Sequence, residues 1–290
     1  MFEGFDRKRI ATTGCEINLL IGGNGPPLLL LHGFPQSHVC LHRVAPLLAP
    51  HFTVVASDLR GYGDSGKPES DHDHLSYSKR TMAQDQVEAM AALGFKRFGV
   101  AGHDRGGRVA HRMALDHPDR VHTIAVLDIV PTRTIYSATN QRIATDYYHW
   151  FFLIQPFDFP EHLIGADPDY YVTRTLRGWG SRRDIYAPEA VAEYLRCFRD
   201  PATIHAACED YRAAASIDLT HDEADLDHKI EFPLLALWGK RGIMEKHFDV
   251  LATWRERAAD VRGHALDCGH FVPEEAPAET AAALLSFFGS

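Results

Sequence analysis

The chain has 290 residues, of which 45% are hydrophobic and 24% are charged, and this balance excludes a disordered protein. The length allows two domains, or one large α/β domain that carries an insertion. The net charge of -9, from 30 Lys and Arg against 39 Asp and Glu, argues against a nucleic acid or an anionic membrane as partner.

Short apolar runs alternate with helix-like segments through the first half of the chain. The strand-like runs are PPLLLLHGF, FTVVASDLRGYG, RFGVAGHD and TIAVLDIVP. Two helical patterns, KRTMAQDQVEAMAALG and GGRVAHRMALDHPDR, lie between the later strands and end at the stop signals Gly94 and Pro118. Buried strands that alternate with helices are typical of a mostly parallel, doubly wound sheet.

The pattern changes after Pro131. Residues 132–225 contain no strand-like run, and their aromatic segments DYYHWFFLIQPFDFP, TLRGWG and VAEYLRCF favour helices. The strand pattern resumes with FPLLALWGK, and the helix APAETAAALLSFFG ends the chain. We therefore expect one sheet domain in two parts, residues 1–131 and 226–290, with a helical cap inserted at residues 132–225.

Two short motifs have a formal resemblance to ligand sites. GYGDSG, Gly61 to Gly66, matches a dinucleotide fingerprint, but the polar, proline-containing KPESDHDH follows it where that fingerprint needs a helix. DHDH, Asp71 to His74, lacks the i,i+4 spacing of helical metal ligands. We interpret both as loops, and we expect no metal and no cofactor.

The stretch VAGHDRGGRVAH has the small residues of a nucleophile elbow, with Asp104 where a serine would be usual. An elbow sets its nucleophile on a tight turn from a strand into a helix, and Gly102, Gly106 and Gly107 provide the space for it. The alternative is that Asp104 only caps the helix that follows. A cap alone does not require three glycines, so the pattern favours Asp104 as nucleophile.

A nucleophile of this kind needs a base and an orienting acid. His270, in DCGHFVPEEAP, lies between the last strand and the final helix, where this arrangement carries its histidine; the alternative is a surface histidine. The turn after LLALWG, a usual place for the acid, contains no aspartate before Asp249. The strand before Pro131 ends in VLDIVP, which places Asp128 at the carboxyl end of the sheet beside the elbow strand. We therefore predict that Asp128 orients His270; the alternative is a turn aspartate.

A carboxylate nucleophile suits displacement at a saturated carbon, because the ester that forms can be hydrolysed by water. The electrophile is then a carbon–halogen bond or an epoxide. Arg105 and Arg108 lie one helical turn apart, and two guanidinium forks beside the nucleophile suit a substrate carboxylate. Solvent-facing ion pairs are the alternative for Arg105. The backbone N–H groups of Phe34 and Arg105 would form the oxyanion hole for ester hydrolysis.

The motifs HGFPQS, DLRGYGDSGKP, GHDRGGR, LDIVPT, YYHWFF, EDYRAA and GHFVPEE together resemble the haloacetate (fluoroacetate) dehalogenases of the α/β-hydrolase superfamily. The resemblance implies an α/β-hydrolase fold and supports Asp104, His270 and Asp128 as triad and Arg105 and Arg108 as carboxylate clamp. It also implies that His149, Trp150 and Tyr211 bind the halide, although these side chains could instead be cap core.

These observations predict an enzyme that converts haloacetate to glycolate and halide through an aspartyl ester. The alternatives are an epoxide hydrolase with the same triad and a non-catalytic receptor of the same fold. Five cysteines without a CxxC pair, and no apolar signal segment in MFEGFDRKRI, predict a cytoplasmic protein with reduced thiols and no membrane segment. The family resemblance predicts a homodimer with a small haloacid as its substrate.

Overall fold

The computed structural model describes residues 1–181 and 185–289. Within them eight strands form one sheet in the order β1-β2-β4-β3-β5-β6-β7-β8. The strands are β1 (Phe5–Ala11), β2 (Glu16–Gly22), β3 (Pro27–Leu31), β4 (Thr53–Ser57), β5 (Phe98–His103), β6 (Val121–Leu127), β7 (Leu234–Gly239) and β8 (Val261–Leu266).

The sheet is antiparallel at one end and parallel elsewhere. β1 pairs antiparallel with β2, and β2 pairs antiparallel with β4. From β4 to β8 every neighbouring pair is parallel, so the carboxyl ends of these strands meet at one edge. In β5 and β7 every residue is buried, because helices cover both faces of the sheet there.

Helices surround this sheet and fill the long connection between β6 and β7. They are α1 (Ala45–Leu48), α2 (Lys79–Ala92), α3 (Arg105–Asp116), α4 (Thr132–Ala138), α5 (Gln141–Asp146), α6 (Tyr148–Phe152), α7 (Phe159–Ala166), α8 (Pro168–Trp179), α9 (Pro188–Phe198), α10 (Pro201–Ala215), α11 (Ile217–Ala224), α12 (Ile243–His247), α13 (Val250–Arg255), α14 (Val272–Glu275) and α15 (Pro277–Phe288). Two short 3₁₀ helices occupy His38–Leu41 and Leu75–Tyr77.

The predicted fold class is confirmed: the chain has an α/β-hydrolase fold with a mostly parallel, doubly wound sheet. The described residues between β6 and β7 form eight helices, α4 to α11, and no strand. We call residues 132–225 the helical segment. No helix within the described ranges combines the length and the apolar character that a membrane crossing needs.

Candidate active site

Asp104 lies on the turn that joins β5 to α3, and its backbone has φ 46° and ψ −114°. This turn is possible only between small residues. A Cβ on Gly102 would lie 2.3 Å from the carbonyl oxygen of Gly106, and a Cβ on Gly106 would lie 2.3 Å from the carbonyl oxygen of His32. Asp104 occupies the N-cap position of α3, but its side chain accepts no capping hydrogen bond. The carboxylate is therefore available for another use.

The two carboxylate oxygens of Asp104 have different surroundings. Oδ1 accepts a hydrogen bond of 2.8 Å from the backbone N–H of Phe34. Oδ2 faces His270, whose Nε2 is 3.9 Å away. Burial raises the pKa of this carboxyl, but the positive charges of His270, Arg105 and Arg108 outweigh burial, and the pKa lies below its usual value. Asp104 is therefore a carboxylate at neutral pH.

His270 and Asp128 form a close pair at the carboxyl edge of the sheet. Nδ1 of His270 lies 2.6 Å from Oδ2 of Asp128, which directly follows β6. The other oxygen of Asp128 accepts a 2.8 Å hydrogen bond from the backbone N–H of Gly239. Burial lowers the pKa of His270, but the hydrogen bond and charge of Asp128, with a contribution from Asp104, raise it above its usual value. Asp128 thus stabilises the protonated imidazole.

The loop that carries His270 is fixed by neighbours that sequence reasoning missed. Glu275 accepts hydrogen bonds from the backbone N–H groups of Gly269 and Phe271, on either side of the histidine. His103 places Nε2 2.8 Å from the carbonyl oxygen of His270. Burial lowers the pKa of His103 to about 3, so that its ring is neutral and its N–H donates this bond. The position of His103 directly before the elbow was the available signal.

Arg105 is fully buried, and most of its guanidinium group is already engaged by Asp210. Nε donates to Oδ2 at 2.9 Å, and Nη2 donates to Oδ1 at 2.7 Å and to the backbone oxygen of Asp210 at 2.8 Å. Only Nη1 has no hydrogen-bond partner. The expectation of two free guanidinium forks therefore needs revision, since Arg105 can offer only one of its three nitrogens, Nη1, to a ligand.

Arg108 keeps more of its donors free. Its Nη1 donates to the backbone oxygen of Val130 and to the hydroxyl of Thr132, whereas Nε and Nη2 are buried without partners. Burial, and then the charge of Arg105, lower the pKa of Arg108 from its usual value. Its guanidinium carbon lies 4.5 Å from the centre of the Trp150 ring. Nε and Nη2 of this buried cation therefore lack hydrogen-bond acceptors and a counter-charge, and an anion would supply both.

His149, Trp150 and Tyr211 come together although more than 60 residues of sequence separate the first two from the third. Ring centres are 5.7 Å apart for His149 and Tyr211 and 6.0 Å apart for Trp150 and Tyr211. All three side chains are buried, and Nδ1 of His149, Nε1 of Trp150 and the hydroxyl of Tyr211 have no partner. Burial raises the pKa of Tyr211 well above its usual value, so this hydroxyl keeps its proton.

A cavity of about 120 Å³ lies beside Asp104 and His270. Its wall includes His149, Tyr147 and Trp179, and the Trp179 ring lies 4.2 Å from that of His149 between centres. Neither Trp179 nor Tyr147 is among the candidate site residues that the sequence suggested. Among the described residues that line this cavity, Arg105, Arg108, Trp150 and Tyr211 do not appear. These four residues contact one another: the guanidinium carbon of Arg105 lies 4.1 Å from the centre of the Tyr211 ring, and that of Arg108 lies 4.5 Å from the Trp150 ring.

The motifs GYGDSG and DHDH, which formally resemble ligand sites, lie elsewhere in the structure. GYGDSG forms a turn after β4, and its Asp64 backbone N–H donates to Asp58. In DHDH, Asp71 accepts backbone hydrogen bonds from its own loop, and His74 pairs with Glu209. Within residues 1–181 and 185–289, no group of three or more His, Cys, Asp or Glu side chains is arranged to hold a metal ion.

Similarity to known proteins is high over nearly the whole chain. The α/β hydrolase fold family matches residues 26–277. A fluoroacetate dehalogenase from Burkholderia sp. is 49% identical over 99% of this chain and 95% of that protein. A soluble epoxide hydrolase from Corynebacterium sp. (strain C12) is 37% identical over 95% and 94% of the two chains. A solved α/β hydrolase structure from Nostoc sp. PCC 7120 is 60% identical, with a TM-score of 0.99 and 99% of both chains covered.

The resemblance expected from the motifs is thus confirmed along the full length of the sequence rather than at the motifs alone. Two findings establish the family: the family match covers residues 26–277, and a dehalogenase of nearly the same length is 49% identical. The chain belongs to the α/β hydrolase fold family and, within it, to the family of the haloacetate dehalogenases.

Proposed function

We propose that the chain is a hydrolytic dehalogenase that converts a haloacetate and water to glycolate, halide and a proton. The observation that carries the proposal is the ionised Asp104 carboxylate beside the His270–Asp128 pair, with free, buried cationic and neutral donors close by. The 49% identity to the Burkholderia fluoroacetate dehalogenase supports the same reaction. Water is the only co-substrate in this mechanism.

In the first half-reaction Asp104 attacks the carbon that bears the halogen. Phe34 engages Oδ1, so we assign the attack to Oδ2, the oxygen that faces His270. A C–O bond forms, the carbon–halogen bond breaks with its electron pair on the halide, and an ester remains on Asp104. Displacement at saturated carbon requires an in-line arrangement, which depends on how the substrate carboxylate is held.

We assign that carboxylate to Arg108 and to the free Nη1 of Arg105. Arg108 contributes Nε and Nη2, the two buried N–H groups without partners. Charge-assisted hydrogen bonds in a buried site are among the strongest that proteins form. They fix the two carboxylate oxygens, and the neighbouring carbon is then directed toward Asp104.

The halide leaves toward His149, Trp150 and Tyr211. Burial lowers the pKa of His149 well below its usual value, so that its ring is neutral, and the other two donors are neutral as well. They can spread the charge of the departing halide by hydrogen bonding without giving up a proton. Free, buried N–H and O–H donors suit an anion that accepts hydrogen bonds and is not protonated.

In the second half-reaction His270 removes a proton from water, and the hydroxide attacks the carboxyl carbon of the Asp104 ester. Oδ1 becomes the oxyanion, and the backbone N–H groups of Phe34 and Arg105 stabilise it. The intermediate collapses to the carboxylic acid of Asp104, and glycolate departs with the proton from His270. Asp104 then releases the remaining proton of the attacking water to solvent, which restores the carboxylate. Asp128 orients the imidazole and stabilises its charge.

An epoxide hydrolase is the second candidate, because the Corynebacterium epoxide hydrolase is 37% identical. An opening epoxide leaves an alkoxide, which must receive a proton and not only a hydrogen bond. The raised pKa of Tyr211 makes that hydroxyl a poor acid. Two buried arginines beside the nucleophile also favour an anionic substrate, so the dehalogenase is the better-supported function.

We further propose that the helical segment acts as a cap domain over the sheet, that the enzyme is a homodimer, and that it works in the cytoplasm. Tyr211 and the pair His149–Trp150 reach the site from this segment, which supports a cap. The homodimer rests on the family resemblance. The five cysteines are free thiols, which agrees with a reducing compartment.

Halide release tests the proposed function. Purified protein is incubated with fluoro-, chloro- and bromoacetate, and with a neutral epoxide, while halide and diol are measured. We expect halide from at least one haloacetate and none from Asp104→Ala, which keeps the fold but lacks the nucleophile. Diol formation without halide release would favour the epoxide hydrolase, and neither product would overturn both.

A further inference from the structure

Asp210 is a buried carboxylate that lies beside the candidate site and has no role in the mechanism above. It precedes Tyr211 on α10 and is fully buried. Its side chain joins three elements, since it binds Arg105 at the start of α3, Lys79 at the start of α2 and the hydroxyl of Tyr62 at 2.7 Å. Burial of a carboxylate is unfavourable unless its charge is compensated; Lys79 and Arg105 supply that compensation, and the Tyr62 hydroxyl adds a hydrogen bond.

The contact with Arg105 fixes both the orientation and the hydrogen-bonding capacity of that side chain. Asp210 receives Nε and Nη2 in a two-pronged pair, so the guanidinium plane is set. Tyr211, one residue further on, places its ring 4.1 Å from the guanidinium carbon. With one edge engaged by Asp210 and one face covered by Tyr211, Arg105 presents a single free nitrogen, Nη1.

The charges around the site indicate how many anionic groups the substrate should carry. Lys79, Arg105 and Arg108 bring three positive charges to this buried region. Asp210 and Asp218 bring two negative charges, and Lys79 contacts both of them. Apart from the candidate nucleophile, one positive charge therefore lacks a partner, and a substrate with a single carboxylate would neutralise it.

We infer that Asp210 is a positioning residue, which holds Arg105 in one orientation and cancels its charge so that the site accepts a monoanion without binding it too tightly. This inference rests on the proposed function. It makes Arg108 the main charge on the substrate carboxylate and Arg105 a directional donor. Without the carboxylate of Asp210, the guanidinium plane of Arg105 would lose the acceptors that set it, and Arg105 would attract a small anion more strongly.

The test compares Asp210→Asn with Asp85→Asn. Asp85 is a matched control, because it is buried and binds Arg60 in the same two-pronged way, Nε at 2.7 Å and Nη2 at 2.8 Å, on α2. For each protein, kcat and KM for chloroacetate and the Ki of acetate, an inert monoanion, are measured at constant ionic strength. Circular dichroism and thermal unfolding show that each variant is folded.

We expect Asp210→Asn to lower kcat about tenfold or more, because orientation is lost, and to lower the Ki of acetate about threefold, because a cation is uncovered. Asp85→Asn should leave the Ki within about twofold of the wild type. A merely structural role would weaken acetate binding. An unchanged or higher Ki in Asp210→Asn, or a kcat equal to that of Asp85→Asn, overturns the inference.

Asp210→Glu covers the case in which the asparagine variant does not fold. It retains the charge and shifts the carboxylate, so kcat should fall while the Ki of acetate stays at the wild-type value; an unaffected kcat overturns the positioning role. Halide release by the wild type is measured first. If it is absent, the proposed function fails, whereas an active wild type with an unaffected Asp210→Asn overturns the positioning role alone.

Discussion

Under the proposed mechanism, the different surroundings of the two carboxylate oxygens would let Asp104 act first as the nucleophile and then carry the ester. The backbone N–H of Phe34 holds Oδ1 at 2.8 Å, and Oδ2 points to His270. One oxygen is therefore available for attack, and the other is already in the place where an oxyanion would need a donor. The two half-reactions can therefore be separated by substitution of single residues.

His270→Asn should stop the enzyme after the first half-reaction. Alkylation of Asp104 needs no base, whereas ester hydrolysis needs His270 to deprotonate water. With chloroacetate the variant should release one halide per site, and mass spectrometry should find a carboxymethyl group on Asp104. Continuous turnover without a trapped ester would contradict the assignment of His270.

Arg108→Lys should reduce kcat/KM for chloroacetate by about 10- to 100-fold, the loss expected for one or two charge-assisted hydrogen bonds. Lysine keeps the charge but not the pair of N–H groups, Nε and Nη2, that Arg108 leaves free. Arg112→Lys is the control, since Arg112 is buried on the same helix and binds Asp116 and Asp225. Equal losses for chloroacetate and neutral chloroacetamide would exclude a carboxylate contact.

Tyr211→Phe should impair the release of fluoride far more than the release of bromide. Fluoride concentrates its charge and leaves the strongest carbon–halogen bond, so a lost donor could cost roughly 2–4 kcal/mol by analogy with oxyanion holes. The measurement is the ratio of fluoroacetate to bromoacetate turnover, or of chloroacetate to bromoacetate where defluorination is weak. Tyr186→Phe, which removes a hydroxyl bonded to Leu176, serves as control. A uniform loss across halides would mean that Tyr211 only shapes the helical segment.

At the scale of elements, the turn from β5 to α3 determines the position of the candidate active site. It brings Asp104 to the carboxyl edge of the sheet, and the first turn of α3 supplies Arg105 and Arg108. β6 delivers Asp128, and the loop after β8 delivers His270. Parallel neighbours whose ends share one edge make this convergence possible.

Gly106→Ala tests that turn. The added methyl would overlap the backbone oxygen of His32 at 2.3 Å, so we expect a destabilisation of about 1–3 kcal/mol or more and a loss of activity. Gly165→Ala is the opposite case: this helical glycine is exposed and has no atom within 4 Å of a Cβ, so alanine should stabilise by about 0.5–1 kcal/mol. Thermal unfolding measures both, and a tolerated Gly106→Ala would contradict the tight turn.

The buried strands were predictable because each is a continuous apolar run. β3, β4, β5 and β7 lie within the predicted stretches, β6 begins two residues before its stretch, and α2 and α3 end close to Gly94 and Pro118. β1 escaped prediction because it lies at the edge of the sheet, where its charged residues face solvent and pairing with β2 supplies the hydrogen bonds. The strand order could not be predicted, since it depends on contacts between distant segments.

The candidate site shows the same limit. The nucleophile, the base and the displaced acid could be proposed because each occupies a strand end or a loop with a recognisable local pattern. Asp210 could not, because its bond to Arg105 joins residues that are 105 positions apart. The one signal was a pair of acidic residues, directly before Tyr211, inside the alanine-rich helical stretch AACEDYRAAA.

On the scale of the whole molecule, the helical segment and the sheet enclose groups whose charges depend on each other. The sheet contributes the carboxylates and the base, and the segment contributes His149, Trp150 and Tyr211. Because all of them are buried, each change of charge at one group is felt by the others with little screening. The enzyme should therefore respond to pH in two separable steps.

At about pH 5 the aspartyl ester should accumulate. The lowered pKa of Asp104 keeps it ionised there, so alkylation continues. The ester lacks the charge of Asp104, but the hydrogen bond and charge of Asp128 still raise the pKa of His270 and favour a protonated ring, which cannot accept a proton from water. Rapid acid quench and mass spectrometry at pH 5 and pH 8 would measure the ester. Equal amounts of ester at both pH values would contradict this order of pKa values.

Nε2 of His270 lies 3.9 Å from Oδ2 of Asp104, so the charge on Asp104 influences the pKa of His270 during the proposed cycle. While Asp104 is an anion, its charge helps to keep the proton on His270. Esterification removes that charge, so the affinity of His270 for the proton falls at the moment when an unprotonated imidazole is first needed. Under the proposed mechanism, formation of the ester thus makes His270 a more available base for the water that hydrolyses this ester. This change of charge sets the order of the two half-reactions and requires no conformational change.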